Sequence, residues 1–156
     1  MKPDIEIADN KLKEVATLLN TLLADEYILY TKTRNAHWNI QGMNFNELHK
    51  FFEGQYELLD TIIDDTAERV RALGHFALGS LKDFLQVARL SEQNDNFSGQ
   101  NHIIETMLVD HESIIRSLCK DILTATACRD LGTADFMTGI MEQHEKMAWM
   151  LRSYLQ

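Results

Sequence analysis

One helix-forming stretch, residues 44–73, carries acidic side chains where a helix packed in a core would carry Leu or Val. At about 100° per residue, its histidine and four of its acids fall on one stripe of the helix surface. These residues are His49, Glu53, Asp60, Asp64 and Glu68. The stripe adjoins the apolar positions of the same helix. Because carboxylate and imidazole together are ligands for iron, manganese or zinc, the stripe predicts a metal-binding face.

An ordinary solvated helix face is the alternative interpretation of this stripe. Such a face usually places a basic residue four positions after an acid, but the fourth residue after Glu53, Asp60 or Asp64 is again acidic. Like charges at this spacing destabilise an isolated helix by about 0.2–0.5 kcal/mol per pair. A bound cation would relieve the repulsion, which favours metal binding over plain solvation.

Length and composition predict one soluble helical domain over residues 1–156. Of these residues 45% are hydrophobic, and a single Pro and seven Gly leave little material for turns, so long helices are expected. No stretch approaches 18 apolar residues, and the first residues contain no apolar signal segment. We therefore expect a cytoplasmic protein with no membrane partner.

Apolar periodicity predicts four long helices and one short one. Their approximate bounds are 10–38, 44 or 46 to 73, 101–128 and 133–155, with a short helix at 80–85. The expected caps are Asp9-Asn10, Asn44 or Asn46, and Thr133, and Gly74 is expected to end the second helix. A long connection, polar at 91–99, fits a bundle whose second and third long helices run parallel. The fold class is therefore all-α, a four-helix bundle with a short extra helix between helices 2 and 3.

Three further polar residues, Glu26, His111 and His144, lie on apolar stripes. Such residues are more often hydrogen-bonded members of a core than metal ligands. A di-iron bundle of the ferritin type needs two Glu-x-x-His motifs in one chain, and no Glu here is followed by His three residues later. The sequence therefore argues against a di-iron site of that type within one chain.

Several short segments resemble the Dps family, the ferritin-like mini-ferritins of starved and peroxide-stressed bacteria. The most specific is a His-Trp pair followed after twelve residues by a second His, and then by Asp-x-x-x-Glu. The segments that carry the resemblance span nearly the whole chain: residues 35–39, 48–49, 59–69, 73–74, 110–112 and 145–151. The resemblance implies a ferritin-like bundle, twelve copies of which form a hollow shell that oxidises Fe(II), preferably with hydrogen peroxide, and stores ferric mineral inside.

The resemblance also implies roles for individual residues. The positions that match the family's ferroxidase ligands are His37, His49, Asp64 and Glu68. At the fifth ligand position, four residues after His49, the family usually has Asp and this chain has Glu53, whose extra methylene changes its reach.

Three other positions match residues that serve the site indirectly. Trp38 matches a tryptophan beside the site, where it can donate electrons and intercept radicals. Asp130 and Asp135 resemble the acids that line the pore through which iron reaches the cavity. Iron is therefore the expected metal, and hydrogen peroxide or oxygen the expected oxidant.

Helix geometry predicts that the site lies between two chains. His49 and Glu53 are one turn apart, but Glu53 and Asp64 are eleven residues apart, about 16 Å along the helix axis. Ligands of one metal ion lie roughly 2 Å from it. A two-fold axis that sets this helix antiparallel to its copy would bring each cluster to its complement and create two equivalent sites.

Two functional classes remain open at this stage. The chain is either mainly a ferroxidase and iron store, or mainly a DNA-compacting structural protein in which ferroxidase activity is secondary. Binding of the phosphate backbone requires clustered Lys and Arg, but the net charge is −9, and Lys2 is offset by Asp4 and Glu6. We expect weak or absent DNA binding and attraction of cations. An inert helical scaffold would leave the His and acid positions unexplained.

Overall fold

Five helices form the part of the chain that the computed structural model describes, which is residues 3–92 and 99–156. They are α1 (Asp9–Asn39), α2 (Phe45–Ala72), α3 (Leu81–Val87), α4 (Gln100–Ala127) and α5 (Leu131–Tyr154). Each bound lies within two residues of its predicted position. Most of the polar connection predicted at 91–99 lies outside the described residues. None of the described helices is long and apolar enough to cross a lipid bilayer.

The connection after α2 runs back along α1. The side chain of Asn20 accepts a hydrogen bond from the backbone N–H of Leu78 at 2.9 Å. Further along α1, Asp25 accepts one from the backbone N–H of Arg89 at 2.6 Å. The connection therefore travels in the same direction as α1 and carries α3 with it.

Two ion pairs fix the direction of α4. Asp121 accepts from the guanidinium of Arg89, which also bonds to Asp25, and Asp110 pairs with Lys32. A later residue of α1, Lys32, therefore pairs with an earlier residue of α4, Asp110. The two helices are antiparallel. Since α2 also returns along α1 after a short turn, α2 and α4 run parallel. The predicted four-helix bundle with a short helix in the long connection is confirmed.

The core is built from apolar side chains of all four long helices, and α3 adds a small second cluster. Phe52, Leu59 and Leu118 are completely buried in the main cluster. Phe84 of α3 packs with Leu23 in the second cluster. Full burial of one such side chain stabilises the fold by about 1.5–3 kcal/mol, so the amphipathic pattern accounts for the packing of the helices.

The ends of the helices differ from the predicted caps. No side chain caps α1, because Ala8 occupies the cap position, and Asn44 precedes α2 without a capping hydrogen bond. The backbone of Asn44, at φ −97° and ψ 25°, is not in the extended conformation that directs a side chain to the helix. Asp130, not Thr133, caps α5. Gly74, at φ 82°, ends α2 as predicted.

A chain of hydrogen bonds links three helices in the middle of the core. His144 Nε2 lies 2.9 Å from Glu26 Oε1, and His144 Nδ1 lies 2.9 Å from His111 Nδ1. All three side chains are completely buried. The prediction that they are hydrogen-bonded core residues is confirmed. Burial, and secondarily the neighbouring His144, holds the pKa of His111 well below its usual 6.5.

Candidate metal centre

The turn between α1 and α2 brings His37 and His49 together. Their rings stack with centroids 3.7 Å apart and an angle of 21° between the planes. His37 Nδ1 lies 2.7 Å from the backbone oxygen of His49, and His49 Nδ1 lies 2.9 Å from the backbone oxygen of His37. Each histidine therefore holds the other through its main chain.

These reciprocal bonds determine which nitrogen of each ring is available for a metal. A carbonyl oxygen only accepts hydrogen bonds, so each Nδ1 must carry the proton. In the neutral ring, Nε2 then holds an unprotonated lone pair, which is the form that binds metals. A hydrogen bond to the other ring nitrogen is the usual support of a metal-ligating histidine. His37 is buried and His49 is half-buried.

One turn after His49, a carboxylate and a phenol lie next to the pair. Tyr56 donates a hydrogen bond to Glu53 Oε1 at 3.5 Å. The ring of Tyr56 meets that of His37 edge-on, with centroids 5.2 Å apart and planes at 80°. Burial of the phenol, followed by the nearby Glu53 carboxylate, raises the pKa of Tyr56 above its usual value. Glu53 Oε1 is thus engaged with Tyr56, and no hydrogen bond involves Oε2 in the described structure.

Arg34 covers the aromatic side of this group. Its guanidinium carbon lies 4.3 Å from the ring centroid of Tyr56, 5.1 Å from that of Trp38 and 5.7 Å from that of Tyr30. Trp38 itself is 62% exposed. Arg34 therefore lies over both Tyr56 and Trp38, and Tyr56 contacts the histidine pair through His37.

The structure does not bring Asp64 and Glu68 to the histidines within one chain. Both lie on α2, are exposed, and are one turn apart. Eleven residues separate Glu53 from Asp64, which corresponds to about 16 Å of straight helix. Within residues 3–92 and 99–156, no three His, Cys, Asp or Glu side chains converge to hold a metal ion. The exposed acids of α2 therefore form a separate half of the predicted ligand set.

Of the two acids predicted to line the iron pore, one is buried and paired. Asp130 accepts from the backbone N–H of Thr133 at 3.0 Å and forms an ion pair with Arg69 at 3.2 Å. A Cβ at Gly132 would lie 2.9 Å from Arg69 Nη2, so the glycine leaves room for this guanidinium. Asp135 is exposed. The charge of Asp130 is therefore compensated, whereas Asp135 forms no ion pair with any residue that the structure describes.

Sequence reasoning missed Arg34 and Tyr56. Arg34 precedes Trp38 and follows Tyr30 by four residues, and Tyr56 follows Glu53 by three, spacings that put side chains on neighbouring helix turns. These spacings of three and four residues indicate the contacts that Arg34 and Tyr56 make within their own helices. The meeting of Arg34 with Tyr56 depends on how α1 and α2 pack.

Comparisons with known proteins agree with the fold. Residues 16–156 match the model of the ferritin-like domain family. A low temperature-induced protein of Nostoc sp. is 42% identical over 98% of this chain and 86% of its own length. The DNA protection during starvation protein 2 of Bacillus anthracis is 34% identical over 92% of this chain and 97% of its own length.

A solved structure shows the same likeness in three dimensions. The crystal structure of a Dps protein from Vibrio cholerae O1, described as a member of a broad superfamily of ferritin-like diiron-carboxylate proteins, matches with a TM-score of 0.92. It is 30% identical in sequence and covers 99% of this chain and 97% of its own. Family model, relatives and structure agree, and the chain belongs to the Dps family of ferritin-like proteins.

Proposed function

We propose that this protein oxidises Fe(II), preferably with hydrogen peroxide and otherwise with oxygen, and stores the ferric product inside a shell of twelve copies in the bacterial cytoplasm. Membership of the ferritin-like family supports iron storage and ferroxidase chemistry in general. In this role the protein removes the two reactants that generate hydroxyl radical. It would thereby protect the cell from oxidative damage.

The observation that carries this proposal is the reciprocal bonding of His37 and His49. It supports two preorganised imidazole ligands, because both Nδ1 atoms are bonded to carbonyl oxygens and both Nε2 atoms keep their lone pairs. Imidazole has useful affinity for Fe(II), and hard carboxylate oxygens such as those of Glu53 stabilise Fe(III). Two irons held together can give one peroxide two electrons, and with two protons the products are two Fe(III) and two waters. No hydroxyl radical is released in that reaction.

We further propose that the ligand set is completed by a second chain. His37, His49 and Glu53 supply one half of the site, and the exposed Asp64 and Glu68 of a partner subunit supply the other half. The separation of the two clusters along α2 supports this arrangement, since one metal ion cannot span about 16 Å. A two-fold axis next to α2 makes two such sites per pair of chains.

Co-assembly of two inactive variants tests the shared site. One chain carries His49→Ala with Glu53→Ala, and the other carries Asp64→Ala with Glu68→Ala. Each alone should fail to oxidise Fe(II) rapidly. After joint dissociation and reassembly, half of the pairs are hybrid and each hybrid regains one site of two, so about a quarter of wild-type activity should return.

The control is each variant taken through dissociation and reassembly alone, with hybrid pairs counted by mass spectrometry after isotope labelling of one chain. Hybrid pairs without recovered activity would show that the site belongs to a single chain.

DNA compaction is the second function to weigh, because the relative from Bacillus anthracis is named for DNA protection. We propose that this chain binds DNA weakly or not at all, since a net charge of −9 opposes contact with phosphates. A gel shift of duplex DNA at about 150 mM salt, without divalent metal, tests this point. A stable complex under those conditions would contradict it.

A further inference from the structure

We propose that a groove between α2 and α5 binds a small aromatic acid whose hydroxyl group lies at the end opposite its carboxylate. This α2–α5 groove is formed by residues 50, 51, 54, 55 and 58 of α2 and residues 146, 147 and 150 of α5. Its volume is about 360 Å³, within the range of about 300–1,000 Å³ that is typical of small-molecule sites. Binding there would use none of the proposed metal ligands and goes beyond the proposed function.

An unpartnered amide, that of Gln55, lies in the buried part of the groove. Only 4% of this residue is exposed, and neither Nε2 nor Oε1 has a hydrogen-bond partner in the described structure. Buried polar side chains are usually hydrogen-bonded, because an unpaired one is destabilising. The amide offers donors on Nε2 and an acceptor on Oε1, so a hydroxyl group, which both donates and accepts, can satisfy both atoms. A carboxylate only accepts and would leave Oε1 unpaired.

Two lysines give the groove a positive edge. Lys50 and Lys146 are exposed, and neither forms an ion pair with a residue that the structure describes. The described residues that line the groove include no acid, although the whole chain has a net charge of −9. An anionic group of the ligand is therefore favoured at this edge, and the hydroxyl group at Gln55.

Apolar side chains form the rest of the groove and favour an aromatic ring in the ligand. They are Phe51, Leu58, Met147 and Met150. Thioether sulfurs make favourable contacts with aromatic rings. Lys50 and Gln55 are five residues apart, which is about 7.5 Å along the axis of α2. The hydroxyl and carboxylate groups of para-hydroxyphenylpropionate are separated by a comparable length.

Gly54 leaves space in the groove. A Cβ at this position would have no atom within 4 Å, apart from its own helix backbone and chain neighbours. Glycine in the middle of a helix is less favourable than alanine, so the gap lowers the stability of α2. A larger side chain at Gly54 would occupy this space without displacing the described atoms around it.

The test is binding of three probes to the assembled, metal-free protein, followed by saturation-transfer difference NMR and calorimetry. Para-hydroxyphenylpropionate should bind with a Kd on the order of 0.1–1 mM. Phenylpropionate lacks the hydroxyl group and tyramine carries an ammonium in place of the carboxylate, and each should bind about tenfold more weakly. Absence of binding of para-hydroxyphenylpropionate to the assembled protein would overturn the proposal.

Variants of the groove assign each preference to a residue. Gln55→Leu should bind the two acids equally, and Lys50→Gln with Lys146→Gln should lose the preference for the acid over tyramine. Gly54→Leu should bind none of the probes. Lys120→Gln, at an exposed position of α4, is the matched control and should bind like wild type.

Thermal unfolding and dissociated subunits complete the experiment. Gln55→Leu and Gly54→Leu should melt at or above the wild-type temperature, because the first removes an unpaired buried amide and the second a helical glycine. Loss of binding in these variants would then not come from unfolding. Unchanged discrimination between the two acids in Gln55→Leu would overturn the proposal. Binding by dissociated subunits alone would assign the groove to contact between copies and would overturn it too.

Discussion

Two histidine pairs lie in this bundle and use their ring nitrogens differently. In the open pair, His37 and His49, both Nδ1 atoms bond to backbone oxygens, and His49 is half-buried. In the buried pair, His111 and His144, the two Nδ1 atoms bond to each other, and both side chains have zero exposure. The residue type and the helical framework are the same, but the acceptors differ.

The difference shows that the hydrogen-bond partner of a histidine decides whether a ring nitrogen remains available to bind a metal ion. A carbonyl acceptor fixes the tautomer of each open histidine and keeps Nε2 as a lone pair. In the buried pair, His144 uses both nitrogens within the protein, one toward His111 and one toward Glu26. We therefore propose metal binding for the open pair and a structural role for the buried pair, and the following changes test that proposal.

The largest expected effect is on the open pair. Replacement His37→Ala removes a proposed ligand, so rapid Fe(II) oxidation should fall by about 100-fold or more, since even the supporting partners of metal ligands are worth 10–100-fold. Asp64→Ala should behave in the same way. The shell should stay folded, as judged by circular dichroism and particle size. His102→Ala, an exposed histidine on α4, is the matched control and should oxidise iron normally.

Replacements at the buried pair should lower the stability of the protein and leave its Fe(II) oxidation rate unchanged. Glu26→Leu removes the partner of His144 Nε2 and leaves a buried polar group unsatisfied, which should cost about 1–3 kcal/mol. The midpoint of thermal unfolding should fall accordingly, while the oxidation rate per folded subunit stays unchanged. Glu142→Gln, at an exposed position of α5, serves as the control. A normal melting temperature in Glu26→Leu would contradict the structural role of the buried pair.

A fall in pH should reduce the contribution of His111 to the stability of the folded protein. The pKa of His111 is held well below 6.5 in the folded protein, so the unfolded chain takes up this proton at a higher pH. Its contribution to stability is therefore complete above about pH 6.5 and declines as the pH falls below that value, by at most about 1.4 kcal/mol per pH unit. Melting temperatures between pH 8 and 5 should show this decline in wild type and a smaller one in His111→Asn. Equal slopes would refute the assignment.

The same contrast between a buried and an exposed side chain separates Asp130 from Asp135. Asp135→Asn should slow iron uptake into the cavity without removing the oxidation site, because an uncompensated negative charge is lost from the predicted path. Asp130→Asn should mainly destabilise the start of α5, by about 1 kcal/mol, through loss of a cap and an ion pair. Uptake by the two variants, measured as core iron over time, distinguishes these roles. Equal slowing in both would mean that Asp130 also lies on the path.

The helices were predictable because the pattern of apolar residues that defines a helix lies within a short stretch of the sequence. Apolar periodicity placed every helix bound within two residues, and the parallel arrangement of α2 and α4 followed from the length of their connection. The core roles of Glu26, His111 and His144 followed from their place on apolar stripes. The predicted N-terminal caps failed, whereas Gly74 ends α2 as predicted. At Asn44 the capping bond depends on the backbone angles of that one residue, and composition does not encode them.

The candidate site was predictable in its residue types but not in its contacts. Spacing and resemblance singled out His37, His49, Glu53, Asp64 and Glu68, and their roles as ligands stay predictions. Nothing in the sequence indicated that each histidine bonds to the main chain of the other, since that contact depends on how α1 and α2 fold back at residues 40–44. The position of Arg34 over Tyr56 depends on the same turn.

The stacking of the His37 and His49 rings also makes the two residues thermodynamically coupled. Loss of either ring removes the stacking partner of the other, although the backbone oxygen that orients the remaining ring is kept, so a single replacement already disturbs both imidazoles. The free-energy losses of the two single variants should therefore sum to more than the loss of the double variant. Exchange of one histidine alone should therefore also change how firmly the other ring is held.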